Sequence, residues 1–132
     1  MLIGVVANVV SVIGLDAVKS YLPEKHDTKK LKDEIRDFAE KEFEANYKHL
    51  SLSEEIDFGG LLLRVSADYI EEIKVYLFDT DISVRKRCFN SILERTYYHA
   101  GAINDAKKSE IKHFVETSIE ISRNYFIGNF FW

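Results

Sequence analysis

The chain has 132 residues, 46% of them apolar and 13% aromatic, which suits a single domain with one hydrophobic core. A net charge of −4 is not the basic excess typical of nucleic-acid binders, and a lone cysteine, Cys88, excludes an intrachain disulfide. One proline and six glycines leave room for long helices, and the single thiol suits a reducing, cytoplasmic setting.

The first predicted element runs from Leu2 to Tyr21. Its valines alone would favour a strand. The spacing decides otherwise, because Leu2, Val6, Val9, Val10, Ile13 and Ala17 share one helical face. Gly4, Asn8, Ser11 and Lys19 fall opposite, so the reading is a short amphipathic, apolar helix. Pro23 closes it and a polar linker follows. No basic flank or small-residue cleavage site marks it as a signal peptide. Asp16 cuts the apolar run short of the roughly 20 residues that a membrane span needs.

A second helix is predicted over Thr28 to Leu50, capped by Asp27 or Thr28. Its apolar stripe is Leu31, Ile35, Phe38, Ala39, Phe43, Tyr47 and Leu50. The opposite face mixes Lys30, Glu34, Asp37, Glu40, Lys41 and Glu44 and reads as solvated, with local ion pairs. Ser51 and Glu54 have capping-box spacing. From Gly60 to Phe78 one central helix is expected, with Leu62, Leu63, Ser66, Tyr69, Ile70, Ile73, Tyr76 and Leu77 inward.

Asp79 to Asp81 form a turn rich in capping residues. The fourth helix covers Ile82 to Ala100, with Cys88, Phe89, Ile92, Thr96, His99 and Ala100 on one face, and Gly101 ends it. Asn104 or Asp105 starts the last helix, which runs to Ile127. Its stripe is Ile111, Phe114, Val115, Ser118, Ile119, Ser122, Tyr125 and Phe126. The expected fold is therefore all-α: an antiparallel bundle of four amphipathic helices over 28–127, an apolar N-terminal helix over 1–21 and an aromatic tail over 128–132.

Chemistry is sparse in this pattern. The histidines at 26, 49, 99 and 113 include no i, i+4 pair, and Cys88 and His99 lie three helical turns apart, so no metal is expected. Gly59-Gly60 lacks the Lys-Ser/Thr of a phosphate loop, so no nucleotide cofactor is expected. Cys88 has no adjacent base and reads as a small buried hydrophobe. No catalytic residue is therefore assigned.

Two arginines come near a nuclease motif. Helical ribonucleases of the HEPN type carry an Arg, usually a polar residue next, then a His after four to six intervening residues. Arg95 and His99 are separated by three residues only. Arg123-Asn124 opens the motif well, but Asn129 stands where the imidazole base belongs, and an amide cannot take a proton as imidazole does. A helical nuclease is the second reading.

Two surfaces remain as candidate contacts. Arg85, Lys86 and Arg87 crowd the first turns of the fourth helix, where the helix dipole opposes cations. They suit an acidic partner or a nucleic acid, or are answered by Asp79 and Asp81. The other candidate joins Leu2, Val6, Val9, Val10 and Ile13 to the aromatic tail Phe130, Phe131 and Trp132. Burial of those apolar groups would drive self-association or binding of a protein partner. The first helix has two further readings: it simply completes the core of the bundle, or it inserts shallowly into a membrane, which the scarcity of basic residues on its polar face opposes.

From Arg85 the chain reads Arg-x-x-Cys-Phe-Asn-x-Ile, then Tyr-Tyr-x-Ala-x-Ala, and from Ile111 Ile-x-x-Phe-Val-x-x-x-Ile-x-Ile-x-x-x-Tyr-Phe. This resembles the N-terminal helical regions that precede the NTPase module in bacterial NACHT or STAND-type phage-defence proteins. The apolar helix at the start, followed by a Lys/Glu-rich helix, is similar to them too. The resemblance implies an adaptor or autoinhibitory module that passes a signal between an NTPase and an effector, or assembles an oligomer. It implies no ATP chemistry, because the NTPase motifs are absent from this segment.

Overall fold

Apolar stripes at helical spacing along most of the chain leave it one way to bury them, which is helix against helix. In the computed structural model, which describes residues 2–22, 27–53 and 56–130, six α-helices follow in order and no strand occurs among the described residues. They are α1 Leu2–Val18, α2 Thr28–Glu42, α3 Phe58–Asp68, α4 Ile70–Phe78, α5 Ile82–Ala100 and α6 Asp105–Phe130. A 3₁₀ turn, Lys19–Tyr21, follows α1, and one π-helical turn, Phe43–Tyr47, extends α2. The all-α expectation holds.

The starts and stops follow from short polar side chains. Asp27 caps α2 by accepting from the Lys30 N–H at 3.0 Å, and Asp57 caps α3 through Gly60 at the same distance. Asp81 accepts from Ser83 to open α5, and Asn104 accepts from Lys107 to open α6. Gly101, at φ +80°, ends α5 in a conformation that an L side chain rarely adopts. Glu54, the second half of the expected capping box, lies outside the described residues.

One expectation needs correction. The segment expected as one helix from Gly60 to Phe78 is two. Tyr69 leaves helical geometry at φ −123° and ψ 35°, ending α3. Its carbonyl then accepts from Glu72 and Ile73 at 3.1 and 3.2 Å to begin α4. Both halves keep their apolar stripes inside: Leu62 and Val65 on α3, Ile73 and Leu77 on α4.

Helix α1 lies at the centre of the bundle, in keeping with the reading that it completes the core. It packs against α2, α3, α4 and α6. Beyond the expected apolar face, Ala7, Ser11 and Gly14 are buried as well. Ser11 meets its own need by donating to the Asn8 carbonyl at 2.8 Å. At Gly14 a Cβ would lie 3.3 Å from Ile35 Cδ1 and 3.5 Å from Phe126 Cζ, so the missing side chain is what lets α1 sit against both α2 and α6.

Aromatic pairs tie the rest of the core to α6. Phe58 meets Phe114 at 5.5 Å between ring centres, Phe78 meets Phe126 at 5.3 Å, and Phe38 meets Tyr125 at 5.4 Å. Among the described residues, no helix is long and apolar enough to cross a membrane.

Candidate functional site

Helix α5 is the least committed to the core. Of its 19 residues only Ile92, Leu93 and Thr96 are buried. Its N-terminal half stands beside α4 and α6 and leaves an open groove of about 310 Å³ between the three helices. Ile82, Arg85, Lys86 and Phe89 line it from α5, at the i, i+3, i+4, i+7 spacing that puts them on one face. Tyr76 completes that wall from α4, its ring 6.2 Å from that of Phe89. Glu116 and Glu120, one turn apart on α6, form the opposite wall.

Arg123 fixes the shape of the groove. One guanidinium nitrogen, Nη1, donates to the carbonyls of Tyr76, Leu77 and Asp79 at 3.0, 2.9 and 3.1 Å. These are carbonyls at the open end of α4, which have no partner within the helix. A cation there also answers the negative end of the helix dipole. The α4–α5 turn is thus fastened to α6 below the groove. Burial, and then the neighbouring Arg85, lower the pKa of Arg123.

The two walls carry opposite charge that is not neutralised across the groove. Among the described residues no ion pair within 4 Å joins Arg85 or Lys86 to Glu116 or Glu120. The Nε of Arg85 is buried with no hydrogen-bond partner. Glu120 also acts on the hydroxyl of Tyr47, in the π-helical turn. Burial, and then the charge of Glu120, push that hydroxyl up to about 12, so Tyr47 stays protonated. Burial and Glu120 also raise Tyr76.

The structure divides the expected basic contact. Arg85 and Lys86 face the groove, whereas Arg87 lies on another side of α5 with Asn90, Ser91, Glu94, Arg95 and Tyr98. Successive helical residues point roughly 100° apart, so a run of three cannot share one face.

The expected apolar interface is corrected more sharply. Val6, Val9, Val10 and Ile13 are core residues with at most 1% of their surface exposed, so none can serve a partner while the chain is folded. Leu2 alone of that set is partly exposed, at a cleft shared with Val5 and Leu52. Phe131, Trp132 and the side chain of Phe130 lie outside the described residues.

The nuclease residues are engaged elsewhere. Arg95 lies 4.9 Å over the Tyr69 ring, His99 stands edge-on to Tyr98, and Arg123 caps α4. Asn124 reaches Glu42 on α2 at 3.5 Å, and Asn129 donates to the Tyr125 carbonyl. Burial, and then the charge of Glu72, raise the Cys88 thiol, the wrong direction for a nucleophile. No group of three or more His, Cys, Asp or Glu among the described residues could hold a metal ion.

A second polar cluster joins Ser53 to α6. Glu110 accepts from the Ser53 backbone and hydroxyl, and Lys107 Nζ lies 2.8 Å from Ser53 Oγ. The Ser53 hydroxyl donates to Glu110 and accepts from Lys107, so the cluster fastens the α2–α3 connection to α6.

Sequence reasoning missed Tyr76, Glu116 and Glu120. The i, i+4 spacing of the two glutamates was visible, but only the docking of α5 beside α6 sets them opposite Arg85 and Lys86. Compared with known protein families, curated proteins and solved structures, the chain matches none of them.

Proposed function

We propose that the chain is a non-enzymatic helical protein–protein interaction domain that uses the α4–α5–α6 groove as its contact surface. The observation that carries this reading is the groove's unanswered chemistry. It combines an aromatic wall, cations and carboxylates left unpaired across the gap, and Ile82 with 72% of its surface exposed. Arginine and aromatic residues of this kind are enriched where protein partners meet. Arg123 holds the walls in place, so little ordering is needed on binding.

The resemblance to helical regions ahead of phage-defence NTPases accords with an adaptor or oligomerisation role in a bacterial cytoplasm. The helical nuclease is disfavoured, because each arginine of its two partial motifs already has a structural partner.

A photo-crosslinking residue placed at position 82 tests the reading in cells. A discrete protein adduct is expected, and it should vanish in the Lys86→Glu background. The absence of any adduct beyond that from exposed Lys48 as a control site would overturn the assignment. Structured RNA incubated with the purified chain should remain intact.

A further inference from the structure

Resting on that reading, we infer that the partner at the groove is a second copy of this chain, bound about a two-fold axis. In such an interface one patch meets itself, so residue i contacts residue j of the partner and j contacts i. A patch of one sign repels its own copy. This one carries Arg85 and Lys86 on one wall and Glu116 and Glu120 on the other, so its four formal charges cancel. Turned through 180°, the basic wall of one copy faces the acidic wall of the other, twice over. The charges that find no partner across their own groove then find one in trans.

The apolar parts obey the same symmetry. Ile82 projects from the start of α5, and the rings of Tyr76 and Phe89 line the groove beside it. In the two-fold arrangement the Ile82 of each copy enters the groove of the other. Stable interfaces take about 800 Å² from each partner, roughly a tenth of the 7825 Å² this chain exposes. Helix α5 is the element with surface to give, since only three of its 19 residues are fully buried. An overall charge of −4 on each copy disfavours random encounter, so the neutral, mixed-charge patch is where two copies meet at least cost.

The test uses the intact chain and two charge reversals at exposed positions, Lys86→Glu and Glu116→Lys, followed by light scattering and sedimentation over a range of concentrations. Wild type is expected to be dimeric. Each single variant should lose at least about tenfold in association, the scale expected when close interfacial charge pairs are reversed. An equimolar mixture of the two variants should recover a heterodimer, because every contact of the mixed pair again joins opposite signs. Ile82→Ser should weaken the dimer as well, without entering the core.

A wild type that is monomeric at every concentration would overturn the inference. So would single variants that dimerise like wild type, or a mixture that fails to recover. If the purified chain is monomeric while position 82 still crosslinks in cells to a protein of different mass, the interaction reading stands and the self-pairing falls. If no adduct forms either, both fall.

Discussion

Glu110 of α6 accepts two hydrogen bonds from Ser53, one from the backbone N–H at 2.9 Å and one from the hydroxyl at 3.0 Å. The pair anchors the connection between α2 and α3 to the last helix. Partial burial works to raise the Glu110 carboxyl, but the bonds from Ser53 and the charge of Lys107 outweigh it and hold the pKa below the usual value. A depressed folded-state pKa contributes stability above the unfolded value of 4.5, and that stability is lost as pH falls through the folded value. Glu110→Gln, a neutral mimic of the protonated acid, should cost about 1 kcal/mol at neutral pH. Urea melts of variant and wild type should differ at neutral pH and converge in acid. A gap that persists undiminished in acid would remove the attribution.

Arg123→Ala tests the capping role directly. The variant strips donors from three carbonyls around the end of α4, and partly buried acceptors left unpaired in this way cost about 1–3 kcal/mol in all. The loss should be local first. Amide exchange at Asp79, whose N–H bonds the Val75 carbonyl at 2.9 Å, should quicken more than exchange within α2. Uniform acceleration would point to a general loss of stability instead.

Two glycines should respond differently to alanine. Replacing glycine inside a helix gains about 1 kcal/mol where space allows. At Gly14 the new Cβ would meet the flexible tip of Ile35 at 3.3 Å, so gain and crowding should nearly cancel, whereas Gly14→Val should cost about 1–3 kcal/mol by overpacking. At Gly60 the Cβ would collide with the carboxylate of Asp57, the residue that caps α3. Gly60→Ala should therefore lose about 1 kcal/mol despite its better helix propensity. Thermal melts of the three variants decide the order.

The placement of α1 makes a blunt expectation. Ile13 is fully buried, so Ile13→Ala should cost about 2–5 kcal/mol. Val5→Ala, at a 38% exposed position on the same helix, should cost less than about 1 kcal/mol. Deleting 1–20 should abolish cooperative unfolding. A truncated chain that still melts cooperatively would show that the remaining helices fold without α1.

Much of this fold was readable because large apolar residues at helical spacing have one meaning. Leu31, Ile35, Ala39 and Phe43 are buried together as their spacing implied, and so are Ile111, Phe114, Val115 and Ile119. The break at Tyr69 was unreadable, since neither glycine nor proline marks it. Ser11 misled for another reason. A small hydroxyl at a close helix contact looks polar in a hydropathy pattern, yet bonded back to Asn8 it is a core residue. The groove was only half legible. The cations stood out as a run, but their carboxylate counterparts lie some thirty positions later on α6, and no local spacing links the two.

The position of α1 also has a consequence for synthesis. The space beside Gly14 is filled by Ile35, which is made soon after it, and by Phe126, which is made more than a hundred residues later. At about 5–20 residues per second, Phe126 emerges on the order of 5–20 s after Gly14. During that interval an almost wholly apolar helix has only part of its eventual cover. The nascent chain therefore offers a binding site for chaperones that the finished protein lacks, and translation stalled before α6 would leave that site open.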